Sequence, residues 1–169
     1  MSVIGGADGP TAIFLTDELG WINWFGLAIV VLMLIPNIVY AVKERDAKNL
    51  CESRALNILE QLGRYGCMLL MVFNIPFAQT GFPFMGAFIA YLLGNALFML
   101  LYWIFWAIWF KRRGLFVSMA LAVLPTLMFL LSGLTLGHWL LVGFAVLFGV
   151  CHIWVSYVNA SKADAEGGA

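Results

Sequence analysis

Charged residues are scarce in this sequence. Only 11% of its 169 residues are charged, and nine acidic residues balance nine basic ones, so the formal net charge is zero. Without a basic excess or a patch of interleaved basic and aromatic residues, we expect no nucleic-acid partner. The three cysteines show no C-x-x-C spacing, which predicts reduced thiols and neither a disulfide framework nor a zinc site.

Enzyme signatures are also missing. The sequence contains no G-x-S-x-G, H-E-x-x-H, Walker or dinucleotide-binding motif. A catalytic function is therefore not the first expectation.

Apolar residues make up 63% of the chain, well above the roughly half that is usual in soluble domains. A membrane-spanning helix needs about 20 largely apolar residues. The sequence therefore predicts an all-α membrane protein, a bundle of about five transmembrane helices that contact the lipid bilayer. The expected spans are residues 21–42, 64–78, 83–110, 115–132 and 138–157.

The second span is short, but the amphipathic stretch 50–62 leads into it without a proline. We expect one helix that begins at the membrane surface and then enters the bilayer. The predicted organisation is an extracytoplasmic or re-entrant N-terminal element (1–20), a five-helix transmembrane domain (21–158) and a disordered cytoplasmic tail (159–169).

All basic residues fall on one side of the membrane if there are five spans. The positive-inside rule makes that side cytoplasmic and places the N-terminus outside, in a bacterial cytoplasmic (inner) membrane. The residues concerned are Lys43, Arg45, Lys48, Arg54, Arg64, Lys111, Arg112, Arg113 and Lys162.

Polar and small residues recur at helical spacing within the spans, which predicts that they face the bundle interior. Glu60 and Arg64 are four residues apart on one face and should pair. The stripes are Asn23, Gly26 and Asn37; Glu60, Arg64, Cys67, Met71 and Asn74; Ala87, Tyr91, Asn95 and Tyr102; and Ala145, Gly149, His152 and Ser156.

A helix-breaking run near the start, residues 5–11, contains the carboxylate of Asp8. Non-helical backbone at membrane depth requires protein or a water-filled cavity around it. Two interpretations are open. Asp8 caps a short interfacial helix that begins near Pro10, or it belongs to a re-entrant element that coordinates Na⁺.

Residues 4–14, IGGADGPTAIF, resemble a motif in the β subunit of sodium-ion-translocating decarboxylases, biotin-dependent pumps that include oxaloacetate and methylmalonyl-CoA decarboxylase. The resemblance covers about the first 15 residues of the chain. It implies a discontinuous helix and a Na⁺ site at Asp8, with Gly5, Gly6 and Thr11 as further ligands. Family subunits are longer and carry the motif deep in the chain, so we do not expect a complete pump. Three explanations are open: a small protein that reuses the ion-site element, a fusion or gene-start remnant, and chance similarity in a Gly-Pro loop.

A second Pro- and Gly-interrupted stretch, residues 74–83, falls on the same predicted outer side. Asn74 and Gln79 are weaker candidates for the same Na⁺ site. The alternative is an ordinary loop between the second and third spans, because Pro and Gly are common in loops.

The favoured hypothesis is a small bacterial membrane protein that binds or transports Na⁺. The first alternative is a structural or accessory subunit without an ion site, working as a homo-oligomer or with a larger membrane partner. The second alternative is a membrane enzyme that uses His152. It requires an inner cavity that brings His152 within hydrogen-bond reach of Glu60 or of another acid or base.

Overall fold

The computed structural model describes residues 20–45, 49–75 and 77–167. It confirms the predicted all-α bundle, since five helices account for most of these residues. Short connections make consecutive helices antiparallel. The helices are α1 (Trp24–Lys43), α2 (Arg54–Val72), α3 (Met85–Trp109), α4 (Leu115–Thr135) and α5 (Trp139–Gly167).

Four of the five described helices, α1, α3, α4 and α5, are long and apolar enough to cross a membrane. The remaining helix, α2, runs beside them. Its 19 residues correspond to about 28 Å at a rise of 1.5 Å per residue. This length is close to the roughly 30 Å of a bilayer hydrocarbon core.

The two faces of α2 explain why its composition is less apolar than that of the other four helices. Its outward face is apolar and its inward face carries the polar groups, which suits a helix with lipid on one side and protein on the other. The outward residues, each more than half exposed, are Ile58, Leu62, Tyr65 and Leu69. The buried residues opposite them include Glu60, Gly63, Cys67 and Met71.

The start of α1 and the end of α2 are joined by backbone hydrogen bonds. The Asn23 amide donates to the Val72 carbonyl at 2.7 Å, and Ile22 and Phe73 form an isolated antiparallel bridge. The α2 helix ends at Val72, because Phe73 is extended and pairs with Ile22. The predicted second span continued to residue 78. One helix runs without a break from Arg54 to Val72, so the amphipathic and apolar stretches are continuous as predicted, but the helix begins at Arg54 and not at residue 50.

The core of the bundle centres on α5, which packs against α2 and α4, while α3 packs on the other side of α4 and α1 contacts α2 and α3. Most of the predicted inward-facing residues are buried here. Cys67, Tyr91, Asn95 and Ala145 are each at most 1% exposed. The helical spacing of polar and small residues thus identified the buried faces correctly.

Basic residues gather at one end of the bundle, which we call the basic end. There Arg113 pairs with Glu44, and the Lys43 amine lies 4.9 Å from the centre of the Phe110 ring. At the opposite end, Gly137 has a φ of +60° and lies directly against the hydroxyl of Thr80. Consecutive helices run in opposite directions, so the end of one helix and the start of the next lie at the same end of the bundle. This alternation matches the predicted order of the spans.

The last helix is longer than its predicted span. It continues to Gly167, through most of the segment 159–169 that was expected to be disordered. Contacts with the α1–α2 connection hold this extension: the Asn159 side-chain oxygen accepts from the Leu50 amide at 2.7 Å, and Lys162 donates to the Leu50 carbonyl at 3.0 Å.

Candidate functional site

Glu60 is the buried acid among the residues that the structure describes. The α2 helix begins after Ser53, whose hydroxyl accepts from the Leu56 amide, and Glu60 lies about two turns further on. It falls on the face that packs against α5, so only 6% of its side chain is exposed. A carboxylate in this position needs a partner, because an unpaired buried charge is costly.

Two partners meet Glu60. Its Oε1 atom lies 2.9 Å from Nδ1 of His152 on α5, and Arg64, one turn further along α2, forms an ion pair with the same oxygen. The predicted pairing of Glu60 with Arg64 is confirmed. The arrangement places an acid within hydrogen-bond reach of His152, which is one part of what the enzyme hypothesis requires; the other part is an inner cavity at this position.

Aromatic packing orients the imidazole. The Phe148 ring, one turn earlier on α5, stacks on His152 with centroids 4.6 Å apart and planes inclined by 15°. The Arg64 guanidinium lies 5.9 Å from the centre of the same Phe148 ring. Packing of this kind restricts the imidazole to the orientation that presents Nδ1 to the carboxylate. We call Glu60, Arg64 and His152 the ionisable cluster.

Polar side chains lie between the ionisable cluster and the basic end. Asn57 lies one turn before Glu60 on α2, and Ser156 lies one turn after His152 on α5; both are partly buried. Asn57 donates to the Cys51 carbonyl at 3.0 Å and accepts from Asn49 at 2.9 Å. In the opposite direction the helices are lined by buried Cys67 and Ala145, so the polar surroundings of the cluster face the basic end.

The imidazole of His152 lies between an acid and a base. Its Nδ1 atom is 2.9 Å from Oε1 of Glu60 and 3.5 Å from Nη2 of Arg64. The carboxylate favours a proton on the imidazole, whereas the guanidinium opposes it.

Two further polar contacts join helices away from the ionisable cluster. Asn95 on α3 donates to the Ser132 hydroxyl on α4 at 3.1 Å, and both residues are at most 1% exposed. Tyr102 on α3 donates to the Asn37 side-chain oxygen on α1 at 3.2 Å. These pairs fix the relative positions of the helices and are structural contacts.

The predicted Na⁺ ligands Gly5, Gly6, Asp8 and Thr11 lie outside the described residues. Asn74 donates through Nδ2 to the Gly20 carbonyl at 3.0 Å, so it contacts the last residue of the predicted N-terminal element (1–20). Gln79 is partly buried in the same connection between α2 and α3.

No known family model matches this chain, and neither the curated proteins nor the solved structures provide a match. The resemblance of residues 4–14 to decarboxylase β subunits stays a prediction. The function is therefore argued from the geometry of the ionisable cluster, in a protein that the fold defines as a helical bundle of the membrane class.

Proposed function

We propose that the protein handles cations at a membrane and that the ionisable cluster is its proton-binding site. One observation carries the proposal, the 2.9 Å contact between Glu60 on α2 and His152 on α5. Ionisable residues within spanning bundles are costly and usually functional. Histidine is the side chain whose charge changes most readily near neutral pH.

The charges of the cluster suit reversible protonation. With neutral His152, the charges of Arg64 and Glu60 cancel. Protonation of His152 adds one positive charge beside the Glu60 carboxylate and 3.5 Å from the Arg64 guanidinium, so two cations share that carboxylate in the protonated state. Because Arg64 is 32% exposed in its side chain, solvent can share the positive charge of the protonated state.

Exchange with water would occur through the basic end. Asn57, Ser156 and Asn159 lie between the ionisable cluster and that end on the facing sides of α2 and α5. The positive-inside rule assigns the basic end to the cytoplasm. The proposal is therefore a site that takes its proton from the cytoplasm of a bacterium, in the inner membrane.

Proton flux into liposomes tests this proposal. Purified protein is reconstituted with a pH-sensitive dye trapped inside, and a Na⁺ or K⁺ gradient is imposed. The expected result is cation-driven pH change that Glu60→Gln and His152→Gln each slow at least about ten-fold, in line with the contribution of a single proton-transferring group. Glu52→Gln, an acid at the same end with 93% side-chain exposure, is the matched control and should leave the rate unchanged.

Two results would contradict the proposal. A flux that Glu60→Gln and His152→Gln do not alter would remove the ionisable cluster from the mechanism. Absence of flux from the wild-type protein would favour the accessory-subunit interpretation, in which the cluster only joins α2 to α5. Conversion of a substrate abolished by His152→Gln would instead favour a membrane enzyme.

A Na⁺ site in the N-terminal motif is the second candidate, and the position of Asn74 favours it. The Gly20 and Trp21 carbonyls accept hydrogen bonds from Asn74, at the end of the bundle away from the ionisable cluster. The second proposal places the motif, which precedes these residues in the chain, at the same end. Asp8 would supply the carboxylate, and Gly5, Gly6, Thr11, Asn74 and Gln79 the neutral oxygens.

Thermal unfolding in Na⁺ and in K⁺ tests the second candidate. We expect Na⁺ to raise the melting temperature relative to K⁺ at equal ionic strength, and Asp8→Asn to abolish the difference. Asp17→Asn, which removes a neighbouring carboxylate outside the motif, should preserve it. Equal melting temperatures in both salts, or a Na⁺ effect that survives Asp8→Asn, would contradict a site at Asp8.

A further inference from the structure

A second feature of the bundle surface is independent of the ionisable cluster. A groove of about 620 Å³ runs between α4 and α5. Its lining includes Met119 and Leu130 on α4 and Ala145, Val146 and Gly149 on α5, and it is almost entirely apolar. At its floor a β-carbon on Gly149 would lie 2.4 Å from the Thr126 methyl group, so a glycine is what allows the two helices to meet there.

The length of the groove corresponds to one leaflet of a bilayer. From Met119 to Leu130, α4 extends about 16 Å, and from Ala145 to Tyr157, α5 extends about 18 Å. Half of a hydrocarbon core is about 15 Å. The groove therefore runs from the middle of the membrane to the basic end, the path of a single acyl chain.

At the basic end the groove reaches groups suited to a phospholipid headgroup. Trp154 and Tyr157 line this part of the groove, and both are exposed, as is typical of aromatic residues at a membrane interface. The sequence Lys111-Arg112 lies just before the start of α4, and both side chains are exposed. Arg113, by contrast, is already paired with Glu44.

The start of α4 adds backbone donors. Its N-cap residue is Gly114, and no side chain of the described residues caps the helix there. The amides of its first turn therefore remain available, and the helix dipole places partial positive charge at the same point. Phosphate groups bind readily at such a helix start when cations are nearby.

We propose that the groove between α4 and α5 binds an anionic phospholipid, with one acyl chain along the groove and the phosphate beside Lys111, Arg112 and the first turn of α4. The length of the groove, close to that of one leaflet, and its apolar lining suit an acyl chain. The cations Lys111 and Arg112 suit the negative charge of the headgroup. The proposal concerns a lipid and does not depend on proton binding at the ionisable cluster.

Native mass spectrometry of the purified protein tests the lipid site. The detergent-solubilised protein is incubated with phosphatidylglycerol or with phosphatidylcholine of identical acyl chains, and the bound lipid is counted. Each cation near a membrane surface favours an anionic lipid by about five-fold. We therefore expect one retained phosphatidylglycerol, bound at least about ten-fold more tightly than phosphatidylcholine.

Two pairs of variants locate the bound lipid. Val146→Phe should fill the groove and release the lipid, whereas Val31→Phe, at a comparably exposed valine on α1, should not (54% and 50% exposed). The double variant Lys111→Gln, Arg112→Gln should bind phosphatidylglycerol and phosphatidylcholine almost equally well. Arg45→Gln with Arg54→Gln, which removes two exposed cations elsewhere at the basic end, should retain it.

The proposal is overturned if phosphatidylcholine is retained equally well, or if Val146→Phe and Val31→Phe retain the same amount of lipid. Displacement of the lipid by millimolar inorganic phosphate would also overturn it, because the ligand would then be free phosphate. Circular dichroism confirms that each variant keeps its helical content, so a misfolded variant is not mistaken for a lost site.

Discussion

Gly63 of α2 lies directly against the backbone of Phe148 on α5. A β-carbon at Gly63 would come within 2.9 Å of the Phe148 Cα and N atoms, closer than real β-carbons approach such atoms. Gly63 is the residue before Arg64, and Phe148 stacks on His152. The close approach of the two helices at this point is therefore what brings Glu60 within hydrogen-bond distance of His152.

Replacement of Gly63 by alanine should separate α2 from α5. Backbone atoms of Phe148 cannot rotate away, so the added methyl group must displace a helix, and overpacking of this kind typically costs about 1–3 kcal/mol. We expect a lower melting temperature and a loss of activity as the Glu60–His152 contact lengthens. Thermal unfolding and the liposome assay measure the two effects.

Gly143→Ala on α5 is the matched control. No atom of the described chain lies within 4 Å of a β-carbon built at Gly143. Alanine at this helical position should leave the bundle unchanged or stabilise it, since glycine is the poorer helix former by about 0.5–1 kcal/mol. If both substitutions lower stability equally, close packing at Gly63 does not explain the effect.

The Glu60 carboxylate should make the stability of the bundle depend on pH. The ionised carboxylate pairs with Arg64 and contacts His152, and protonation of Glu60 removes the charge that holds this ion pair. The contribution is therefore present at neutral pH and is lost as Glu60 becomes protonated in acid. Unfolding measured from neutral pH down to about pH 3 should therefore show decreasing stability.

Glu60→Gln isolates this contribution. It should destabilise the bundle by about 1–3 kcal/mol at neutral pH, because Arg64 loses a charged partner, and the difference from wild type should narrow in acid. Glu52→Gln should cause neither effect. A constant difference between wild type and Glu60→Gln at all pH values would contradict the assignment.

The hydrogen bond between Asn95 and Ser132 should stabilise the contact between α3 and α4. Interhelical hydrogen bonds in membrane proteins contribute about 0.6 kcal/mol on average and up to about 1.7 kcal/mol. A double-mutant cycle with Asn95→Ala and Ser132→Ala, measured by unfolding in mixed micelles, should give a coupling energy in that range. Coupling near zero would show that the two side chains act independently.

The orientation of the bundle can be measured with cysteines at its two ends. Phe77 is 91% exposed at the end opposite the basic end, and the Glu52 side chain is 93% exposed at the basic end. In intact bacteria, a membrane-impermeant thiol reagent should label Phe77→Cys. Glu52→Cys should react only after permeabilisation. The reverse pattern would contradict a cytoplasmic basic end.

The sequence predicted the helical bundle because long apolar segments leave few other folds for a membrane chain. It also predicted which faces are buried: the spacing of Tyr91 and Asn95 on α3, or of Cys67 and Met71 on α2, defines one side of a helix. Glu60 and Arg64 could be paired from their four-residue separation alone. These features are all local to one helix.

Features that depend on two helices could not be predicted in this way. His152 is separated from Glu60 by 92 residues, and nothing in either helix sets their relative height. The contact between Glu60 and His152 depends on Gly63, which lets α2 approach the backbone of Phe148. This role of Gly63 cannot be recognised until Phe148 is known to lie opposite it. Likewise, the α2 helix ends at Val72 because of pairing with Ile22, and α5 is extended by contacts of Asn159 and Lys162 with Leu50.

The most direct test of the proton-binding site is the histidine side-chain signal in nuclear magnetic resonance. The chain has two histidines, so ring ¹⁵N labelling gives signals from His138 and His152 alone. We predict a slowly exchanging proton on Nδ1 of His152 that disappears in Glu60→Gln, with a changed titration curve for His152 and an unchanged one for His138. Identical His152 signals and titration in both proteins would contradict the account.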